Sequence, residues 1–179
     1  MSKNYYYFVA SLPLLFFDSK SSMSLEKFLE DCRRFLSEKD FLLLAALFDE
    51  EENFFSAHNK FSCDWLEFNR ICCNEMVCFR AERDKKDPVA YLRGERKIEP
   101  VIISLIQQAA KLDNLLEAEK IFDEAKWKYL DEVTLGHYFD LEYVLAYGLK
   151  LRILNRYQEI YSDKGKEIFE EYKKLGSYS

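Results

Sequence analysis

Leu141-Glu142-Tyr143-Val144-Leu145-Ala146-Tyr147-Gly148-Leu149-Lys150-Leu151-Arg152-Ile153-Leu154-Asn155-Arg156 carries apolar residues at almost every helical phase. A helix that is apolar all round must be covered by other helices. Its interspersed cations, Lys150, Arg152 and Arg156, then need partners or a route to water, because an unpaired buried charge is costly. The pattern is that of a helical scaffold, and the predicted helix spans roughly residues 140–161.

Composition agrees with an all-α chain. Half of the 179 residues are hydrophobic (49%), and Gly and Pro number only five and three. A sandwich or barrel would need turn residues at short intervals. At roughly 25 cal/mol per Å² of apolar surface removed from water, such a chain can form a core without disulfides or metal. The net charge of −6 argues against a general nucleic-acid binder and against direct docking on anionic lipid. Five cysteines, an odd count, without a recognisable leader suggest reduced thiols and a cytoplasmic location. The apolar opening, Tyr5 to Phe17, is too short to span a bilayer and contains Pro13, so it reads as a buried strand or short helix.

Outward from the long helix, the expected architecture is an antiparallel helical bundle, a single helical domain over residues 1–179, with 80–99 as the place for a subdomain junction. Ser24 is placed to cap a helix over Leu25 to Leu36, and Ser37 with Asp40 resembles a capping box for the next. Ser62 or Asp64 is the expected cap of a helix reaching Phe79. Asp87-Pro88 marks a short helix ending at Gly94, Pro100 opens another, and Asp113 is the expected cap of Leu115 to Leu130. A final amphipathic helix is expected from Asp163, with Gly176 at its end.

The residues point away from catalysis. His58 and His137 lack ligand-like spacing, and Cys72, Cys73 and Cys78 share one helix without a second CxxC pair. Gly-rich phosphate loops, GxSxG and HExxH are missing from the sequence. The run Asp49 to Glu52 has neither the alternation nor the glycine of a calcium loop. No cofactor or metal is expected, and the chain reads as a non-enzyme. Charge is uneven, with acids over 38–52 and cations Arg80, Arg83, Lys85, Lys86, Arg93, Arg96 and Lys97 over 80–97. Such polarity suits either solvated faces or oriented docking.

Two stretches resemble a known family. Asn4-Tyr5-Tyr6-Tyr7-Phe8-Val9-Ala10-Ser11-Leu12-Pro13 and the helix Phe139 to Arg156 are similar to an uncharacterised bacterial family encoded among V/A-type ATPase genes. Phe48-Asp49 followed by Asn53-Phe54-Phe55 is similar to an aromatic-Asp-x-x-Asn element of the C-type stalk adaptor of V/A-type ATPases (d-type in eukaryotes), with one residue more between Asp and Asn. Tyr147 to Arg156 looks like a helix of the same adaptor, although no acid stands where that family has its Glu. The resemblance implies a shortened C/d-type adaptor, all-helical, coupling the central shaft to the membrane ring. Its partners would be the shaft and ring subunits, and it would sit at the inner face of the membrane through that complex.

On that reading the partner-binding residues are Asp49, Asn53, Arg80, Arg83, Lys85, Lys86, Lys150 and Arg156. Local roles compete at each: Asp49 and Asn53 as helix terminators, Lys150 and Arg156 as cations reaching for solvent. The alternative function is a generic helical adaptor or secretion-type chaperone acting as a dimer.

Overall fold

The computed structural model describes residues 5–49, 59–160 and 162. Among these the chain forms seven α-helices, one 3-10 turn and no strand. In chain order they are α1 (Tyr6–Ser11), α2 (Leu25–Phe35), α3 (Glu38–Asp49), α4 (Lys60–Arg83), the 3-10 turn (Val89–Tyr91), α5 (Pro100–Ala109), α6 (Leu115–Val133) and α7 (Leu141–Ile160). The all-α expectation holds. The predicted helix from Asp163, with Gly176, lies outside the described residues, as do His58, Asn53 and the side chain of Asp49.

The chain divides into two compact units, one joining Met1–Leu44 to Leu130–Ser179 and the other comprising Ala45–Tyr129. The divisions fall within α3 and α6. Residues 80–99 lie within the second unit.

In the first unit, α7 is the central element. Val144, Leu145 and Leu151 are completely buried, and α7 packs against α2. The Phe28 ring of α2 lies 5.3 Å from the Tyr147 ring and stacks 6.2 Å from Phe8 of α1. The opening segment is helical for only six residues because the next residues turn extended toward Pro13. Leu12 sits at φ −74°, ψ 134°, the conformation favoured before proline. The Tyr147 hydroxyl donates to Pro13 O at 2.9 Å, and burial drives that phenol's pKa far above its ordinary value.

Ser24 and Ser37 behave as expected of caps. Ser24 accepts from the Lys27 N–H at 3.2 Å. Ser37 Oγ accepts from the Asp40 N–H at 3.3 Å and donates to the Asp40 carboxylate at 2.6 Å. The Tyr5 hydroxyl also donates to that carboxylate, so Asp40 is tied into the structure rather than free in an acidic surface run. Burial and then the Asp40 carboxylate push the Tyr5 phenol up.

In the second unit α4 packs on α5. Phe68 stacks on Tyr129 with ring centroids 4.0 Å apart, and the Tyr129 hydroxyl donates to Asp64 O at 3.0 Å. The cap of α4 is Asn59 rather than Ser62 or Asp64, its side chain accepting from the Ser62 N–H at 3.1 Å. Asn114 rather than Asp113 leads into α6, accepting from the Leu116 N–H at 3.0 Å. The stretch after Asp87-Pro88 makes a single 3-10 turn, after which Leu92 is extended and the chain bends at Gly94. Among the described residues no helix is long and apolar enough to cross a membrane.

Candidate functional site

The stretch 93–97, within the region expected to hold a subdomain junction, is strapped to α4. Asn74 is 1% exposed and Glu75 2%. Asn74 Oδ1 accepts from the Arg93 N–H at 2.9 Å, and its Nδ2 donates to Arg93 O at 3.1 Å, so one side-chain amide pairs with one backbone residue in both directions. One turn earlier, Arg70 Nη1 donates to Arg93 O and Glu95 O at 3.0 and 2.8 Å. The chain can run this close because residue 94 is glycine: its φ is +66°, and an added Cβ would stand 2.8 Å from Arg70 Nη1.

Carboxylates on α4 complete the strap. Arg96 forms a bidentate pair with buried Glu75 at 2.8 and 2.7 Å. Glu67 takes Arg70 on both oxygens and Lys97 on one. Those cations, Lys97 foremost, hold the Glu67 carboxyl below its ordinary pKa. Arg96 and Lys97, counted among the cations of 80–97, are thus matched by acids of their own unit. The stripe Glu67, Arg70 and Asn74 follows helical spacing, which marks a polar face of α4 in the sequence without naming what that face binds.

The remaining basic residues gather where α4 ends. Arg80, Arg83, Lys85 and Lys86 are all exposed. Arg83 Nε pairs with Asp84 at 2.9 Å, which lowers the Asp84 pKa. Lys85 adopts φ +54° and closes the helix, with the Lys86 N–H donating to Ala81 O and the Lys85 N–H to Glu82 O. Cations here also favour the carbonyl end of the helix dipole. Lys150 and Arg156 belong to the first unit. Lys150 on α7 is half-buried and pairs with Asp131, while exposed Arg156 lies 5.7 Å over the Tyr157 ring. The eight expected partner-binding residues therefore do not form one cluster within a single unit.

The first unit carries a second surface that the sequence reading missed. Tyr7 is 86% exposed and Tyr6 53%; the Tyr6 ring lies 5.6 Å from Tyr7 and 4.6 Å from Phe139. Phe139 belongs to the α6–α7 turn, where Tyr138 and Leu135 are also exposed. Gly136 shapes that turn at φ +90°. The signal was the tyrosine triplet Tyr5-Tyr6-Tyr7: consecutive residues at the start of a helix point to different sides, so one face cannot bury all three rings.

Two open clefts of about 530 and 540 Å³ lie in the first unit, one bordered by Asp18, Lys20 and Tyr157, the other by Glu26, Arg33 and Phe41. His137, Asp140 and Glu142 bring ligand atoms within 4.8 Å of one another. Asp140 is already engaged, accepting from the Tyr143 N–H at 3.2 Å and meeting His137 Nδ1. A cation there would compete with the cap of α7 and face the positive end of its dipole.

Residues 102–175 match a family model described as "Protein of unknown function (DUF2764)". The match begins in α5 and takes in α6, α7 and the aromatic turn between them. No curated protein and no solved structure matches the chain.

Proposed function

We propose that the chain is a non-catalytic helical adaptor of a V/A-type ion-translocating ATPase, a shortened counterpart of the C/d-type stalk adaptor that links the rotor shaft to the membrane ring. One observation carries the reading. The tyrosine-rich opening and the Phe139 to Arg156 helix, which hold the resemblance, close on each other within one unit. Tyr5 N–H donates to Phe139 O at 2.5 Å, and Tyr147 donates to Pro13 O at 2.9 Å. The two motifs thus act as one structural element, as a shared docking role requires. A covered, tightly packed α7 also suits a part that must transmit torque without hinging.

Co-expression with the shaft and ring subunits, followed by affinity purification of the tagged chain, tests the proposal. Co-elution of those subunits is the expected result. A chain that elutes alone at micromolar concentration overturns it. Reversing Arg83, Lys85 and Lys86 to Glu should weaken capture about tenfold or more while helicity by circular dichroism is retained, since exposed charges act mainly on docking. Unchanged capture would remove this basic end of α4 from the interface.

A further inference from the structure

We infer that the polar stripe of α4 formed by Glu67, Arg70, Asn74 and Glu75 is a binding surface for a basic peptide segment of a partner protein, kept covered in the free chain by the chain's own residues 93–97. The inference stands whichever complex the chain belongs to.

The stripe grips residues 93–97 as a receptor grips a peptide. Among the described residues, Arg93 to Ile98 forms no backbone–backbone hydrogen bond, and α4 side chains supply the partners instead. Asn74 holds both the N–H and the C=O of Arg93, and Arg70 donates to Arg93 O and Glu95 O. These contacts touch main chain alone, so they serve a peptide whatever its side chains. Selectivity comes from the rest. Glu75 takes the Arg96 guanidinium on both oxygens, and Glu67 takes the Lys97 ammonium. Gly94 has φ +66° and leaves only 2.8 Å between a Cβ position and Arg70 Nη1, which favours glycine over any larger residue. The ligand so defined carries a glycine, one further residue, then two adjacent cations.

The balance of forces makes the strap exchangeable for a segment of the same chemistry. Every residue from Arg93 to Glu99 is exposed, so lifting the strap gives up little apolar contact. Lifting it without replacement is costly, because Asn74 and Glu75 are buried and would lose their partners. The strap therefore lies closed in the free chain and yields to a segment that supplies the same bonds. Tethering raises the effective concentration of the chain's own copy, so a competing segment binds the intact chain more weakly than a chain whose strap is loosened. The net charge of −6 draws basic segments toward the molecule and repels acidic ones.

The probe is a blocked fluorescent peptide with the sequence of Tyr91 to Glu99, added to the full-length chain. By fluorescence anisotropy it should bind Arg96→Ala/Lys97→Ala, and separately Gly94→Ala, about tenfold or more tightly than it binds the unaltered chain, since a loosened strap competes less. Adding Glu75→Gln to either variant should remove that gain. So should a peptide with glutamate in place of its two adjacent cations, or with alanine in place of its glycine. In the unaltered chain an excess of the peptide should shift the Asn74 side-chain amide signals by NMR, a readout that does not require either variant to fold. Binding no tighter in the loosened variants, or binding that survives Glu75→Gln or the altered peptides, overturns the inference. So does an Asn74 amide that stays unmoved at millimolar peptide, which would make residues 93–97 a fixed part of the second unit.

Discussion

Asn74 uses both ends of its amide on a single residue nineteen positions away, and this decides how the 93–97 connector runs. Arg93 has an exposed side chain, yet its backbone N–H and C=O both point at buried donors and acceptors. Its amide hydrogen should therefore exchange slowly for a loop, on the time scale of α4 rather than of the flanking residues. Gly94→Ala should abolish that protection. The substitution puts a Cβ 2.8 Å from Arg70 Nη1 at φ +66°, and strain of this kind costs about 1–3 kcal/mol. Urea denaturation and amide exchange by NMR check both statements, and unchanged exchange at Arg93 would show that the strap does not hold in solution. In the sequence, Asn74 and Glu75 are two among many polar residues of α4, beside Glu67, Asn69 and Arg70. What they bind is invisible there, because their partners come from a later, separate stretch.

Among the helices, caps decide where each begins, and the sequence is uneven on this point. Ser24 and Ser37 were legible because each is followed closely by a periodic apolar run. Asn59 and Asn114 were missed in favour of Ser62 or Asp64 and of Asp113. Several side chains at each site are competent to cap, and only the trajectory of the preceding chain selects among them. The other end of α4 holds an opportunity. Lys85 occupies the left-handed closing position, where a Cβ costs about 1–2 kcal/mol and glycine avoids it. Lys85→Gly should stabilise the chain by about 0.5–1 kcal/mol, after allowing for the added freedom of the unfolded state. A lower midpoint in urea would contradict that account of the helix end.

Across the full chain, the cysteines report on the two units separately. Cys63 and Cys73 are exposed, whereas Cys32 is buried in the first unit and Cys72 is partly covered in the second. Burial pushes the Cys72 thiol up to about 11 and Cys32 higher still. At pH 8, Cys63 and Cys73 should react with a maleimide within minutes, and Cys32 only as the first unit opens. Mass spectrometry of peptides labelled across a urea series would then show whether Cys32 and Cys72 become reactive at one midpoint or at two; rapid labelling of Cys32 without urea would contradict its burial. Local pattern was enough to dictate the helical class, the central place of the Leu141 to Arg156 helix and most helix positions. These follow from apolar periodicity and the scarcity of Gly and Pro, which act within a few residues. It took the folded arrangement to strap down the basic connector, to tie Asp40 to Tyr5, and to turn Tyr6 and Tyr7 outward beside Phe139. Those outcomes depend on contacts between distant stretches, and no local pattern encodes which of several competent partners a side chain will meet.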